Sequence, residues 1–482
     1  MKIGWSIPFF LPAALIQAAE YKLGDHTFTV PDGFTVEIVA GPPLVNRPIE
    51  ASFDEEGRLY VTDSSGSNAK VTEQIKNPTH RIVRLEDANG DGKFDKSTVF
   101  ADKMMFPEGA LWHDGALYCG AVPIIWKLVD TDGDGVADQR IKWFDGKTAN
   151  GCANDLHGPY LGPDGWIYWC KGAFERQQHK RPRGQIINDR AAHIYRMRPD
   201  GTELDSIMAG GMDNPVGMAF NGTGDVFFTT TFFSFPRDGK RDALVHAIYG
   251  GLYPKKWNIL NELVRTGDFM PALSHLGPAA PCGLSIYESA VFGEDFTGNL
   301  FTCQFNMRKV QRHVLSPSGS TFAAQDLDFM VSDNPDFHPT DVLEDADGSL
   351  LVIDTGGWYK LCCPTSQIAK PEVLGAIYRI RRADGKPVQD PRGLKLDWKK
   401  ASPSRTAELL DDPRPFVRHR AMARLGKQGQ AAIGPLKEVL QKAKSVAARR
   451  NAVWALTRID SAAARAATRT ALADDDPTVQ QA

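Results

Sequence analysis

The sequence predicts a mainly β protein, a six-bladed β-propeller followed by a short α-helical solenoid. Three observations lead to this fold class. A turn-and-strand unit occurs six times, a second type of short strand follows most copies, and from Arg405 the composition shifts to Ala, Leu and Arg at helical spacing. Because a propeller repeats one small antiparallel sheet around an axis, six units indicate six blades.

Residues 1–19 predict a secretory signal peptide. Lys2 is the only charged residue before Glu20, and residues 3–16 form an apolar run that small residues follow. An uncleaved membrane anchor is the alternative, although the run is short for a membrane span. We therefore expect a periplasmic or secreted protein.

The composition sets limits on partners and cofactors. The formal net charge is −3 and charge is not concentrated in a tail, so we expect no nucleic-acid partner. Seven cysteines fit an oxidising compartment, and an odd number leaves at least one thiol unpaired. Adjacent Cys362 and Cys363 allow either a vicinal disulfide or separate pairings. The sequence has no Cys-x-x-Cys-His segment, so we expect no c-type haem within this chain.

Residues 20–385 contain the predicted propeller. Each unit has a polar, Gly-containing turn before a β-favouring run, as in residues 163–169 (Pro-Asp-Gly-Trp-Ile-Tyr-Trp). A β-sandwich or two unrelated β domains are the alternatives, but regular spacing of this kind is unusual for a sandwich. The first apolar residues after the turns recur at intervals of about 50 to 75 residues and are Leu59, Leu117, Ile167, Val226, Leu300 and Leu350.

Residues 386–403 are polar and proline-containing, which predicts a linker to a helical region over residues 404–482. There an Asp-Asp-Pro helix start, followed by apolar residues on one face, recurs with a period of about 32 residues and resembles HEAT-like repeats. The last unit is incomplete, so we expect a partial solenoid. Its predicted buried residues are Leu410, Val417, Ala421, Leu425, Leu436, Val453 and Leu456.

Two acidic loops are candidate Ca²⁺ sites. Oxygen-bearing side chains alternate with other residues, and a glycine allows the sharp turn that such loops need. Neither loop has the glutamate that completes an EF-hand; Thr98 and Ile141 stand there. The alternative is an acidic turn that only closes a hairpin. The candidate ligands are Asp87, Asn89, Asp91 and Asp95 in one loop, and Asp130, Asp132, Asp134 and Asp138 in the other.

His157 is the candidate catalytic residue. It precedes the strand of the third unit and lies close to Asn154 and Asp155 in a segment bounded by Gly and Pro. A neutral imidazole titrates near physiological pH and can take a proton from a hydroxyl group. The alternative is a histidine that only hydrogen-bonds the backbone. The basic stretch 175–183 is interpreted either as solvated or as facing an anionic cofactor or sugar.

Four stretches carry a family resemblance: residues 157–168, 213–220 (Asp-Asn-Pro-Val-Gly-Met-Ala-Phe), 249–254 (Tyr-Gly-Gly-Leu-Tyr-Pro) and 280–284 (Ala-Pro-Cys-Gly-Leu). They resemble segments of the soluble quinoprotein glucose/sorbosone dehydrogenases. The chain resembles even more closely the exported propeller–HEAT–cytochrome proteins of planctomycete and verrucomicrobial type, known as membrane-bound dehydrogenases. The resemblance covers about residues 30–385, and a HEAT region is the family's usual next module.

The resemblance implies a dehydrogenase that oxidises a sugar or polyol hydroxyl or aldehyde group, with His157 as general base. It also implies pyrroloquinoline quinone and Ca²⁺ as cofactors and a cytochrome c-type electron acceptor. Protein partners of the HEAT-like repeats are a further expectation. The implied catalytic residues are His157, Asp155 and Asn214, and the implied cofactor-binding residues are Asp213, Asn214, Gly250, Gly251, Tyr253, Arg308 and His338.

The sequence departs from this family where cations are expected. Asp213 stands where the family has an arginine, and His338 and Thr340 lie near its paired arginines. A basic residue of the fifth blade is matched by Arg308 or Lys309. Because the quinone carries three carboxylates, these changes make quinone binding a weaker expectation than the fold.

Two other functions remain open. A Ca²⁺-dependent lactonase or other hydrolase needs ligands that converge on the channel, which Asn154, Asp155, Asp213 and Asn214 can supply. A non-catalytic scaffold would bind carbohydrate or protein partners. A basic, aromatic-lined, dead-end channel would favour the dehydrogenase, converging carboxylates the hydrolase, and an open, unlined channel the scaffold.

Overall fold

The computed structural model describes residues 18–153, 155–235, 238–255, 257–357 and 370–482. The predicted signal peptide lies outside the described residues except for Ala18 and Ala19, which begin the first strand. Asn154, Cys362 and Cys363 also lie outside the described residues. In the described part of the chain, no helix is long and apolar enough to cross a membrane.

The chain begins with three strands and then forms the first two blades. The three strands are β1 (Ala18–Leu23), β2 (His26–Pro31) and β3 (Phe34–Ala40). Blade 1 contains β4 (Pro48–Phe53), β5 (Leu59–Asp63), the short helix α1 (Val71–Gln74), β6 (His80–Glu86) and β7 (Lys96–Met104). Blade 2 contains β8 (Leu111–His113), β9 (Ala116–Ala121), β10 (Ile124–Val129) and β11 (Gln139–Asp145).

Blades 3 and 4 carry insertions. Blade 3 contains β12 (His157–Leu161), β13 (Ile167–Lys171), a separate hairpin of β14 (Gln177–Lys180) and β15 (Ile186–Asp189), then β16 (Ala192–Met197) and β17 (Asp205–Gly210). Blade 4 contains β18 (Asn214–Phe220), β19 (Val226–Thr231) and β20 (Asp242–Ala247); β21 (Gly251–Tyr253) then joins blade 3, and β22 (Ser274–Gly277) completes blade 4.

The last two blades use the N-terminal strands for their outer edges. Blade 5 contains β23 (Pro281–Ile286), β24 (Leu300–Gln304), β25 (Lys309–Ser318) and β26 (Thr321–Ser332), and β2 and β1 extend it. Blade 6 contains β27 (Pro339–Glu344), β28 (Leu350–Asp354) and β29 (Ala376–Arg382), and β3 pairs antiparallel with β29 as its fourth strand. This pairing joins the start of the propeller to its end and closes the ring.

The six predicted repeat positions are equivalent in the structure, which confirms the six-bladed prediction. Each lies at the start of the second strand of a blade, and all six side chains are at most 8 % exposed. These second strands read as almost continuous buried runs because neighbouring blades cover both faces of each sheet.

The C-terminal region forms helices, as predicted. The helix starts are capped by Ser402, Ser445 and Ser461, each of which accepts a hydrogen bond from a backbone N–H of the first turn. All seven residues predicted to be buried are at most 1 % exposed. The helices are α2 (Pro403–Glu408), α3 (Pro415–Gln428), α4 (Gln430–Lys442), α5 (Val446–Thr457), α6 (Ala462–Thr468) and α7 (Pro477–Gln481).

The linker and helices contact one end of the propeller, which we call the lower face; it carries the turns between the first and second strands of the blades. The linker residue Arg392 contacts the turns of blades 1 and 6. The helical contacts reach blade 2 through Lys427 and Asp114, blade 3 through Arg458 and Pro163, blade 4 through Trp454 and Gly222, and blade 5 through His419 and Glu288. Every blade is therefore contacted on this face. The opposite end, where the innermost strands begin, is the upper face.

Candidate functional site

The innermost strands of the six blades form the wall around the axis. They approach so closely that a side chain has no room at several glycines: a Cβ on Gly217 would lie 2.4 Å from the carbonyl oxygen of Cys282. A Cβ on Gly283 would lie 2.5 Å from the Cα of Asp341. Glycine therefore allows the strands to pack around the axis, and the side chains that begin these strands converge at the upper face.

His157 lies at the upper start of β12, held between side chains of the two neighbouring blades. Its Nδ1 is 3.0 Å from Oε2 of Glu108, which precedes the first strand of blade 2. Its Nε2 is 2.6 Å from Oδ1 of Asn214, the first residue of blade 4. The imidazole is therefore oriented from both sides, and the structure brings together His157 and Asn214, two of the residues that the resemblance implies as catalytic.

The electrostatic environment of His157 favours the imidazolium form. Burial alone lowers the pKa of this histidine, but the Glu108 carboxylate, its hydrogen bond, the Asn214 contact and the charge of Asp155 together raise it. Burial raises the pKa of Glu108, although the charge of His157 opposes this. Because both ring nitrogens face acceptor oxygens, the arrangement stabilises the ring after it has taken up a proton.

Asp155 holds the loop before His157 in place. It is buried and accepts hydrogen bonds from the hydroxyl of Thr148 at 3.0 Å and from the backbone N–H of Asn150 at 2.5 Å. Thr148 in turn accepts a hydrogen bond from Gln177 of the inserted hairpin at 2.8 Å. Asp155 was predicted as catalytic; these contacts make it a positioning residue.

Asp213 forms an ion pair with Lys255 at the upper face beside Asn214. Burial raises the pKa of Asp213, and Lys255 opposes the shift. Sequence reasoning missed Lys255, which directly follows the 249–254 stretch and is brought to Asp213 because Gly211 donates its N–H to Pro254 at 3.2 Å. The resemblance implies an arginine at position 213. The structure has an aspartate there, and a cation from a different segment, Lys255, lies beside it.

Gly250, Gly251 and Tyr253 lie at the outer edge of blade 3. The strand β21 pairs in parallel with β17, the outermost blade strand, and the Tyr253 hydroxyl donates to the carbonyl of His246 at 2.6 Å. The structure places these three predicted cofactor residues there and not on an innermost strand, because the Gly-rich turn extends a sheet edge.

Arg308 and His338 lie on adjacent upper loops of blades 5 and 6. Arg308 follows a short 3₁₀ turn and has a left-handed backbone conformation, with φ of 55°. The His338 ring stacks on Phe305 of that turn at 4.4 Å between centroids, and its Nδ1 is 2.5 Å from the carbonyl oxygen of Gly356. Burial lowers the pKa of His338, which disfavours a charged ring.

Two carboxyl groups lie inside the ring of innermost strands. Burial and the neighbouring Asp341 raise the pKa of Glu50 well above its usual range, and the nearby Tyr160 hydroxyl opposes the shift. Asp341 accepts the backbone N–H of Ala51 at 3.1 Å, and burial raises its pKa to about 7. Sequence reasoning missed both, although a signal exists. The innermost strands of blades 1 and 6 read Pro-x-Glu and Pro-x-Asp where those of blades 4 and 5 read Pro-x-Gly.

The two acidic loops connect the third and fourth strands of blades 1 and 2, away from the axis. In the second loop, ligand atoms of Asp130, Asp132 and Asp138 all lie within 4.8 Å of one another. Asp134 and the first-loop residues Asp87, Asn89, Asp91 and Asp95 accept backbone N–H groups within their own turns. Among the described residues, the second loop therefore contains the one group of acidic side chains whose ligand atoms lie close enough together to share an ion.

Four of the described cysteines are free thiols in the propeller: Cys119, Cys170, Cys282 and Cys303. Burial raises the pKa of each of these thiols, so they stay protonated near neutral pH. They pack within blades as small apolar groups, and disulfides between them do not hold the ring together.

The fold defines a six-bladed propeller with an attached helical-repeat module. A family model described as a domain of unknown function (DUF7133) matches residues 22–384, and the chain belongs to this family. A second model, for HEAT repeats, matches residues 402–482. No curated protein matches the chain.

Several solved structures resemble the propeller at low sequence identity. The quinone (PQQ) domain of pyranose dehydrogenase from Coprinopsis cinerea, in its holo form, is 14% identical, with a TM-score of 0.50 over 74% of this chain and 98% of that one. An oxidoreductase from Thermus thermophilus, described as a glucose dehydrogenase, is 17% identical, with a TM-score of 0.49 over 72% and 99% of the two chains. The PQQ-bound aldose sugar dehydrogenase of Streptomyces coelicolor is 16% identical, with a TM-score of 0.47 over 73% and 100%. At 14% identity, the likeness to the pyranose dehydrogenase domain shows the fold alone.

Proposed function

We propose that this chain is an exported dehydrogenase that oxidises a hydroxyl or aldehyde group of a sugar or polyol at the upper face, with His157 as general base. The observation that carries the proposal is the position of His157 between the Glu108 carboxylate and the Asn214 amide. An acceptor on each side of the ring stabilises the imidazolium that forms when a substrate hydroxyl loses its proton.

The proposed reaction gives each residue a defined task. The neutral form of His157 takes the substrate proton at Nε2, and for this the substrate hydroxyl has to replace the Asn214 oxygen that lies 2.6 Å from that nitrogen. Glu108 keeps the ring oriented through Nδ1 and balances its positive charge. Asp155 holds the preceding loop so that the ring stays at the start of β12. Because linker and helices contact every blade on the lower face, we expect substrate to enter from the upper face.

The residues near Asn214 fit a planar anionic cofactor such as pyrroloquinoline quinone. Lys255 supplies a cation, and aromatic rings next to it, among them Trp257 and Phe232, supply faces on which a flat ring system can stack. When bound, the quinone would accept the hydride that leaves the substrate carbon. Asp213 opposes this fit, since its carboxylate already contacts Lys255. Aromatic rings at the upper face and a covered lower face favour the dehydrogenase over an open scaffold, whereas the carboxyl groups around the axis are the feature expected of the hydrolase.

A Ca²⁺-dependent hydrolase is the second candidate, because Glu50, Glu108 and Asp341 all lie on or just before innermost strands. One observation opposes this candidate. Among the described residues, the three acidic side chains that lie close enough together to share an ion are on the outer loop of blade 2 and not at the axis. We therefore assign Ca²⁺ a structural role at Asp130, Asp132 and Asp138.

Export, electron transfer and partner binding complete the proposal. Residues 1–19 would direct export, and electrons would pass to a separate cytochrome-type acceptor. The HEAT repeats contact the propeller through α3, α5 and α7, so a protein partner would use the remaining helical surface.

The test is turnover by the purified protein, reconstituted with pyrroloquinoline quinone and Ca²⁺, on a panel of sugars and polyols with an artificial electron acceptor. His157→Ala should reduce the rate by about 10²–10⁴-fold, the range typical of an acid–base residue. His275→Ala, which removes an exposed histidine on β22, is the matched control. Unchanged turnover of His157→Ala would refute the role of His157.

A further inference from the structure

Lys255 is a buried cation surrounded by aromatic rings at the upper face. Its Nζ lies 4.5 Å from the ring centroid of Trp257, 5.0 Å from that of Phe232, 5.8 Å from that of Phe174 and 6.0 Å from that of Phe235. The rings come from upper loops of blades 3 and 4 and from the segment after β21. Aromatic faces attract an ammonium group and exclude water from it, so a charge there acts in a medium of low polarity.

The position of this cluster connects it to the proposed catalytic site. The carboxylate of Asp213 contacts Lys255, and the next residue, Asn214, contacts His157. The indole N–H of Trp257 donates to the carbonyl of Gly211 at 2.9 Å, which fixes the ring beside the same loop. The proposed catalytic histidine and the lysine surrounded by aromatic rings thus both contact one short segment, residues 213–214.

The cluster is open on one side. Phe174 and Phe235 are 38 % and 37 % exposed, whereas Lys255 is 8 % exposed. Phe174 and Phe235 therefore form an apolar rim that solvent reaches beside the buried ion pair. A flat molecule can stack on the exposed rings while its acidic group reaches the ammonium.

We propose that Lys255 is the anion-binding residue of the upper face, and that Asp213 is its displaceable counter-ion. The ligand class is a planar aromatic molecule that bears a carboxylate. Stacking on the rings orients it, and its carboxylate replaces that of Asp213 on the ammonium group of Lys255. Lys255 would thereby supply the charge that position 213 lacks.

A lysine suits exchange of this kind. Its ammonium is a compact point charge with three rotatable donors, so it can change acceptors without the fixed geometry that a guanidinium requires. Among the described residues, Asp213 supplies the carboxylate that contacts it, from a loop that approaches the axis. The counter-ion competes with the ligand, and its removal should strengthen binding instead of weakening it.

The experiment is equilibrium binding of pyrroloquinoline quinone to the full-length apoprotein, followed by titration calorimetry and by quenching of tryptophan fluorescence. Lys255→Met should weaken binding by about 10- to 100-fold, the usual effect of losing a hydrogen bond to a charged group. Asp213→Asn should tighten binding by a similar factor. The double variant Lys255→Met/Asp213→Asn removes both charges of the pair, so it can replace the single lysine variant if that variant is too unstable to measure. It should bind quinone as weakly as Lys255→Met.

Gluconate, an anion without an aromatic ring, distinguishes the ligand class and should bind at least about tenfold more weakly than the quinone. Three results would each overturn the proposal: equal binding of gluconate, unchanged quinone binding by the Lys255 variants, or weaker quinone binding by Asp213→Asn. It would also be overturned if quinone bound neither the parent protein nor Asp213→Asn. The choice of quinone as the ligand rests on the proposed function, but different measurements refute the two proposals: quinone binding tests the role of Lys255, and turnover tests the role of His157. His157→Ala should bind quinone like the parent while losing turnover.

Discussion

The Nδ1 atom of His157 lies 3.0 Å from Oε2 of Glu108, and the two residues come from adjacent blades. The closed ring therefore places a carboxylate on the side of the imidazole that faces away from Asn214. The same relationship determines the charge state of the histidine, since Glu108 raises its pKa.

Glu108→Gln should change how the proposed reaction depends on pH. A base acts only when it is neutral, so activity rises as pH increases through the pKa of His157. Loss of the Glu108 charge lowers that pKa, and the acid limb of the kcat/KM profile should move to lower pH. The maximal rate should fall by at least about tenfold, because the ring loses its orienting partner. Glu56→Gln, at an exposed turn, is the control, and an unshifted acid limb would contradict the role of Glu108.

Glu50→Gln should stabilise the protein by an amount that grows with pH. Burial raises the pKa of Glu50 above its ordinary value of 4.5, so the folded state binds this proton more tightly than the unfolded chain. Stability is then lost as pH rises from about 4.5 towards the folded-state pKa, at about 1.4 kcal/mol for each unit of pKa shift. Glutamine is similar in size and carries no titrating proton, so it avoids that loss. Thermal unfolding from pH 4.5 to 8 measures the effect; a difference in Tm that does not vary with pH would rule out a raised pKa at Glu50.

Asp132→Asn should abolish stabilisation by Ca²⁺. If the second acidic loop binds the ion, Ca²⁺ at about 100 times its Kd stabilises the folded state by about 2.7 kcal/mol and raises Tm. Asp132 belongs to the compact trio, and asparagine retains the acceptor for the N–H of Asp134. Asp91→Asn in the first loop is the matched control and should keep the response. A Tm that neither Ca²⁺ nor a chelator changes would show that this loop is only an acidic turn.

Arg458→Met should weaken the attachment of the helices to the propeller. The buried guanidinium donates to the carbonyl of Pro163 through Nε at 3.1 Å and Nη2 at 2.9 Å, and burial lowers its pKa to about 10. Loss of these bonds leaves a carbonyl unpaired and should destabilise the protein by roughly 1.5–3 kcal/mol. Arg465→Met, on the exposed surface of the same module, should have little effect. Scanning calorimetry compares the two, and equal Tm values would mean that the interface does not contribute to stability.

The local pattern was sufficient for much of the fold. Turn residues before short apolar runs predicted the second strand of every blade, and the helical period predicted all seven core positions from Leu410 to Leu456. These features depend on neighbours in sequence, which determine whether an apolar face has a period of two or 3.6 residues. The proximity of His157 and Asn214 could also be predicted, because equivalent loops of different blades converge on the axis.

Other parts of the site depend on tertiary contacts. The sequence marks Glu50 and Asp341 only by a carboxylate where other innermost strands have glycine, and it does not show that ring closure buries both of them, with Glu108, around one axis. Lys255 lies far along the chain from His157, and its meeting with Asp213 depends on how the segment after β21 returns to Gly211. The sequence by itself determined the number of blades, the order of the modules and the candidate histidine. Only the tertiary structure decided which carboxylates and cations surround that histidine, because pairing of β3 with β29 closes the ring and brings side chains of separate blades into contact.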